Sequence, residues 1–200
     1  LYSQVDKDYK EDALGQEAKY RNARLSYFSG DFEWAKEQLD ILKTATSQLI
    51  SNDAIELSLM IQENTGLDSN TEALDQFAKA DMYIFQNNLD KAMEILNILP
   101  FKFPKHALDD EILFAKARIM EKKRDLPQAI KFYEAVVTLH GDDILADNAL
   151  YNLARIYDYR LKDKVKAKET YEKLIFDYNS SLFSVEARKR QKALKEALGS

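Results

Sequence analysis

The 200-residue chain has no cysteine, which excludes disulfide bonds, thiolate metal sites and cysteine nucleophiles. Glycine and proline are scarce, with 5 and 3 residues, so we expect long uninterrupted helices and few tight turns. No stretch alternates between apolar and polar residues in the manner of a β-strand. No apolar run approaches the roughly 18 residues of a membrane span, so we predict no direct membrane insertion.

Charge is spread unevenly along the chain. The net charge is −5, yet residues 160–200 contain 11 Lys or Arg against 6 Asp or Glu. A nucleic-acid binder would show a stronger basic excess, so we predict no nucleic-acid partner. We interpret the basic run Arg188–Lys192 as the solvated face of a last helix. A docking patch for an acidic partner is the alternative.

One pattern of apolar and small residues recurs four times. It reads A-x-x-Y-x-x-x-x-x-L-x-x-A-x-x-x-L, and its clearest copy begins at Ala80 and Tyr83. Such self-similarity is typical of stacked repeat proteins. Each copy predicts a hairpin of two helices with an alanine on each helix at the closest approach, where a larger side chain would separate the axes. The alanine pairs are Ala23 and Ala35, Ala80 and Ala92, Ala117 and Ala129, and Ala154 and Ala167.

These residues resemble the tetratricopeptide repeat, and Asn88-Leu89-Asp90-Lys91-Ala92 is similar to the turn between its two helices. The family repeats every 34 residues or so, whereas the second-helix alanines here are separated by 57, 37 and 38 positions. The long first gap indicates an inserted or degenerate half-repeat, or the tail of a longer array. The resemblance covers residues 70–178 and 12–46. It implies an all-α, right-handed superhelix of stacked antiparallel helix hairpins, an α-solenoid of about ten helices.

The predicted organisation is one continuous solenoid in two parts. Residues 1–66 form a first hairpin plus an extra helix, and a turn follows at 66–70. Residues 67–200 form three hairpins and a C-terminal capping helix. We expect Pro100 and Pro104 to close the second hairpin. Tyr157 and Ala167 are ten positions apart where Tyr83 and Ala92 are nine apart, so we expect one extra residue in the last turn.

The resemblance also implies a concave groove lined by the first helix of each hairpin. The implied positions lie three before, one after, and four or five after the first-helix alanine. The candidate partner-binding residues are Tyr20, Arg24, Tyr27, Phe77, Asp81, Phe114, Arg118, Tyr151, Arg155 and Asp158, with Phe28, Ile84, Phe85, Glu121, Lys122 and Tyr159 at the remaining positions. Aromatic and arginine side chains are the types that anchor protein partners. The alternative is that the aromatics fill the space between repeats and the arginines pair with acidic neighbours.

Catalytic motifs are absent from the sequence. It contains no glycine-rich phosphate loop and no metalloprotease or hydrolase signature, so we predict neither an enzyme nor a cofactor. His106 and His140 lie beside acidic helix starts, which allows a His/Asp metal site. The helix macrodipole explains such acidic residues without a metal, and we predict no metal site.

The predicted function is a protein-interaction scaffold that binds a protein or peptide in the groove. The alternative is a structural or self-association module of a larger protein, and a homo-oligomer is compatible with either role. The closing segment Ser181–Arg190 resembles bacterial envelope-associated tetratricopeptide proteins, which favours the periplasm or envelope over the cytoplasm. The chain begins at Leu1 without a methionine, so we expect a fragment or a processed product.

Overall fold

The computed structural model describes residues 2, 4–5, 12–44, 48–65, 71–104 and 106–199. Within these residues it contains ten α-helices and no strand, and helix accounts for 81%. The helices are α1 (Ala13–Phe28), α2 (Phe32–Leu42), α3 (Gln48–Asn64), α4 (Glu72–Phe85), α5 (Leu89–Lys102), α6 (Asp109–Lys122), α7 (Leu126–Leu139), α8 (Ala146–Arg155), α9 (Lys164–Asp177) and α10 (Ser184–Leu198).

The predicted fold class is confirmed, because neighbouring helices pack in pairs as expected for an α-solenoid of helical hairpins. The right-handedness of the superhelix stays a prediction. The predicted boundary at residue 66 and the turn at 66–70 lie outside the described residues. None of the helices in the described ranges is both long enough and apolar enough to cross a membrane.

The chain forms two compact units, Leu1–Asp109 and Asp110–Ser200. In the first unit, α1 packs against α2 and α4 packs against α5, and these are the first two hairpins. Helix α3 packs against α2 and also contacts α1 and α4, and its origin as an inserted half-repeat stays a prediction. The core of this unit is built from large side chains that are almost fully buried, among them Leu39, Ile61, Leu74 and Leu96.

The second unit contains the last two hairpins and the capping helix. Helix α8 packs against both α7 and α9, and α10 packs against α9. Tyr133 of α7 and Tyr171 of α9 fill the centre of one continuous apolar cluster, at 1% and 0% exposure. Phe114 of α6 packs edge-on against Tyr133, with ring centroids 5.5 Å apart.

The repeat alanines are among the most deeply buried residues that the structure describes. All eight, which include Ala23, Ala92, Ala129 and Ala167, are 0% exposed. A methyl group is the largest side chain that two helices accept at such close approach. The burial therefore confirms the register that the sequence pattern predicts.

The turn between the two helices of each hairpin contains the same two-residue motif. One residue adopts a left-handed backbone, with φ of 81° at Gly30, 58° at Asn87, 62° at Arg124 and 57° at Lys162. The next residue is an Asp or Asn that caps the second helix. The side chains of Asp31, Asp125 and Asp163 each accept a hydrogen bond from the backbone N–H three residues on.

Two local predictions about the hairpins are wrong. Pro100 does not end α5, because the helix continues to Lys102 and the Phe103 N–H donates to the Leu99 carbonyl at 2.9 Å. A proline this close to the end removes one backbone donor, and the two residues that follow it remain helical.

The extra residue of the last hairpin lies in its first helix and not in the turn. In the other hairpins the left-handed residue follows the first alanine by seven positions, as in Ala80 and Asn87, but Lys162 follows Ala154 by eight. Lys162 precedes Ala167 by the same five positions that separate Asn87 from Ala92. Residues Ile156–Leu161 form a π-helix, which absorbs one residue by widening a single turn.

Candidate functional site

Arg24 lies at the centre of an aromatic and acidic cluster in the first unit. Its guanidinium Nη2 is 3.0 Å from Asp81 Oδ2, an ion pair that links α1 to α4. The guanidinium carbon also lies 5.0 Å from the ring centroid of Phe28 and 5.5 Å from that of Phe85. Phe85 remains 56% exposed. The repeat register predicts all four as groove residues, and the structure brings them into one cluster.

The other predicted residues of this unit are more enclosed. Burial raises the pKa of the half-buried Tyr20 hydroxyl, and the nearby Asp53 carboxylate raises it further. Tyr27 is fully buried between Phe28 and Phe32, and Phe77 is 6% exposed. The Tyr27 and Phe77 side chains therefore belong to the core. The accessible part of the first-unit surface is formed by Arg24, Asp81, Phe28 and Phe85.

In the second unit, Arg118 of α6 and Arg155 of α8 occupy equivalent positions, each directly after its repeat alanine. Both are exposed, and neither forms an ion pair within the part of the chain that the structure describes. Burial raises the pKa of Tyr133, and Glu121 raises it further, whereas the charges of Arg118 and Arg155 lower it. Both guanidinium groups therefore lie within electrostatic range of one hydroxyl group, whose oxygen is 3.2 Å from Glu121 Oε2.

Tyr151 forms a face-to-face stack that the repeat pattern does not predict. Its ring lies 4.3 Å from that of Phe183, with 12° between the planes. Phe183 immediately precedes α10, so this contact fixes the entry to the capping helix. The Arg155 guanidinium carbon lies 5.8 Å from the Tyr151 centroid, and Tyr151 thus connects the capping segment to the exposed arginine.

Asp158 is already paired within the chain. It lies in the π-helix, is 7% exposed, and accepts two hydrogen bonds from Arg190 of α10. The distances are 2.8 Å from Nε to Oδ2 and 2.9 Å from Nη2 to Oδ1. Arg190 also lies over the ring of Tyr159 at 4.9 Å. Of the basic run at the start of α10, this arginine has a structural partner, while Arg188 and Lys189 are exposed.

The two histidines occupy equivalent loops. Each is followed three residues later by an aspartate, and the imidazole lies near that carboxylate: His106 Nε2 is 3.7 Å from Asp109 Oδ1, and His140 Nδ1 is 3.0 Å from Asp143 Oδ2. The Leu108 N–H also donates to His106 Nδ1 at 3.0 Å. Among the residues that the structure describes, a further carboxylate, that of Asp110 of α6, joins the His140 loop.

The fold is built from repeated helical hairpins, and the first helix of each hairpin carries the candidate binding residues. Residues 148–178, which comprise most of α8 and all of α9, match the family model described as tetratricopeptide repeat. This match supports an assignment to the tetratricopeptide repeat superfamily. A search of curated proteins found no match to this chain. Tetratricopeptide repeats are typically non-catalytic scaffolds that bind proteins or peptides.

Proposed function

We propose that the protein is a non-enzymatic scaffold that binds a protein or peptide segment on the first helices of its hairpins. In the second unit this surface consists of Phe114, Arg118, Tyr151 and Arg155, and we call it the arginine surface. Its counterpart in the first unit is the cluster around Arg24 and Asp81. The proposal is supported by the family assignment and by the chemistry of the exposed side chains.

The observation that most strongly supports this proposal is that Arg118 and Arg155 are exposed and have no acidic partner in the described ranges. An arginine that stabilises a repeat stack is expected to be paired, as Arg24 is with Asp81 and Arg190 is with Asp158. Arg118 and Arg155 are exposed at the same repeat position, and neither has such a partner in the described ranges. Two exposed guanidinium groups beside partly exposed aromatic rings can bind carboxylates in a bidentate manner. The expected partner segment is therefore acidic, with apolar side chains that contact Tyr151 and Phe114.

The alternative role, a structural or self-association module, is supported by a different observation. The capping helix covers one end of the second-unit surface, because Phe183 stacks on Tyr151 and Arg190 pairs with Asp158. A surface that the chain covers itself has less area to offer to a partner. The two roles differ in whether removal of the exposed arginines affects binding.

The experiment compares charge-reversed variants in affinity capture from a lysate of the source organism. Arg118→Glu with Arg155→Glu replaces both exposed guanidinium groups. Lys131→Glu with Lys173→Glu is the matched control, since these exposed lysines lie on the second helices of the same two hairpins. Captured proteins are quantified by mass spectrometry at low and high salt, and self-association is measured by sedimentation velocity.

We expect the arginine variant to lose its specific captured proteins while the lysine variant retains them. Capture by the wild type should weaken at high salt, because exposed charge pairs are screened within about 10 Å at 0.1 M salt. Equal capture by both variants would contradict the proposal. Self-association that both variants retain, without a specific captured protein, would favour the structural role.

A further inference from the structure

The loop between α7 and α8 brings a histidine and two aspartates together in the second unit. His140 ends α7, Asp143 lies three residues later, and Asp110 reaches the same point from the first turn of α6. Each residue offers one nitrogen or oxygen atom, and the three atoms lie within 4.8 Å of one another. No other group of three such ligands occurs among the residues that the structure describes.

We propose that Asp110, His140 and Asp143 bind a divalent transition-metal ion of the zinc type. One imidazole nitrogen and two carboxylate oxygens form a ligand set that suits zinc, which usually takes four ligands. Water completes the coordination. The ion fastens the first turn of α6 to the loop before α8, and so it stabilises the packing of the last two hairpins.

The position of the Asp110 side chain is the observation that favours a bound cation. It is only 7% exposed, yet no hydrogen bond or ion pair from another described residue reaches its carboxylate. A mostly buried carboxylate with no positively charged side chain beside it is a suitable ligand for a cation. The helix macrodipole favours an acidic residue at this end of α6, but it does not explain why the side chain is directed toward a histidine and a second carboxylate.

The geometry needs little adjustment to accept an ion. Zinc binds nitrogen and oxygen at about 2.0–2.2 Å, so its tetrahedral ligands are about 3.4 Å apart. His140 Nδ1 and Asp143 Oδ2 are already 3.0 Å apart, and the gap between this pair and Asp110 has to close by about an ångström. Asp143 is 52% exposed, so the loop that carries the pair can shift toward Asp110, and it gives an ion access from solvent.

The surroundings of the loop also favour a positive charge. The Tyr178 hydroxyl donates to the Gly141 carbonyl at 2.7 Å and holds the loop next to His140. Burial raises the pKa of Tyr178, and the carboxylates of Asp177, Asp142 and Asp147 raise it further. The charged groups that raise this pKa are all carboxylates, and a group of carboxylates beside the loop attracts cations.

The test is zinc titration of tag-free, chelator-treated protein by isothermal calorimetry at neutral pH. We expect one ion per chain, and we expect Asp110→Asn and His140→Gln each to weaken binding at least tenfold. His106→Gln is the matched control, because it removes the equivalent histidine from a loop with one carboxylate partner, and it should bind zinc like the wild type. Asp143→Asn is a fourth variant at an exposed position, where a change cannot unfold the protein.

Zinc should also raise the melting temperature of the wild type and leave that of Asp143→Asn unchanged, because a ligand that binds only the folded state stabilises it. The proposal is overturned if the wild type does not bind zinc, or if Asp110→Asn and Asp143→Asn bind it unchanged. It is also overturned if magnesium binds as tightly as zinc and still binds His140→Gln, because that result describes an acidic patch without a role for the imidazole. The partner-capture results do not enter this test, so the two proposals can fail separately.

Discussion

Asp158 in the π-helix and Arg190 in the capping helix form a bidentate ion pair across 32 positions of sequence, with N–O distances of 2.8 and 2.9 Å. The Asp158 side chain is 6% exposed and that of Arg190 is 28% exposed, so the carboxylate depends on this one guanidinium. The widened turn of the π-helix holds Asp158, which places the pair at the one irregular point of the last hairpin.

The first prediction concerns this pair. Arg190→Ala leaves a buried carboxylate without its partner, and we expect a loss of about 2–3 kcal/mol in the free energy of unfolding. Arg188→Ala is the control on the same helix and should change stability by no more than about 0.5 kcal/mol. Urea denaturation followed by circular dichroism measures both. Similar losses of unfolding free energy for the two variants would show that the ion pair does not stabilise the fold.

The second prediction concerns the repeat alanines. Ala92→Leu or Ala129→Leu forces a larger side chain into a contact where the alanine is 0% exposed. We expect a cost of about 1–3 kcal/mol from overpacking. Ala197→Leu, at an exposed position of α10, should be near neutral. If thermal melts show equal tolerance at the three positions, the close approach of the helices at these alanines is wrong.

The third prediction concerns the left-handed residues of the turns. Arg124 and Lys162 adopt φ values of 62° and 57°, which cost a residue with a Cβ about 1 kcal/mol or more. Arg124→Gly and Lys162→Gly should therefore raise stability, by up to about 1 kcal/mol. Gly30→Ala should lower it, because φ is 81° and the added Cβ would lie 3.1 Å from Asp75 Oδ1. Chemical denaturation that shows the same sign for all three changes would contradict this account of the turns.

The fourth prediction concerns pH. Burial alone would raise the pKa of Asp40, but hydrogen bonds from Lys43, Lys36 and the buried Ser58 hydroxyl outweigh it and lower the pKa from 3.8 to about 2. A carboxylate whose pKa is lowered on folding stabilises the fold above its unfolded pKa, and this stabilisation is lost as the pH falls through the folded value. The fold should therefore lose the Asp40 contribution between about pH 4 and pH 2.

Asp40→Asn tests this pH dependence. At neutral pH the variant should be less stable than the wild type, and the two melting temperatures should converge as the pH falls from about 4 to about 2. Glu169→Gln, at an exposed position of α9, is the control and should follow the wild type at every pH. A constant difference between Asp40→Asn and the wild type would mean that Asp40 acts through packing and not through its charge.

Local features of this fold can be predicted from the sequence, because the same packing contacts recur at fixed spacing in each repeat. The eight alanines and the capping aspartates at the start of α7 and α9 follow from that spacing and from helix-end chemistry. The only sign of the π-helix in the sequence is one extra residue between Tyr157 and Ala167. The spacing alone cannot distinguish a wider helical turn from a longer loop. Pro100 shows the same difficulty, since a proline near a helix end is compatible with either stop or continuation.

Contacts between side chains that are distant in the sequence cannot be predicted in this way. Arg24 with Asp81, Tyr151 with Phe183, and Asp110 with His140 are each separated by about 30 positions or more, and the repeat pattern does not constrain residues outside it. By their register in the repeat, Arg24 and Arg118 are equivalent groove residues. The structure separates them, because Arg24 has an acidic partner in the chain and Arg118 does not.

Photo-crosslinking at single positions is the measurement that most directly tests binding on the first helices. A photoreactive phenylalanine analogue is placed at Arg118 or Arg155 on the arginine surface, and at Lys131 or Lys173 on the second helices as controls. We predict that positions 118 and 155 crosslink to the same partner segment, and that positions 131 and 173 do not. Crosslinks to that partner only from positions 131 and 173 would contradict binding on the first helices.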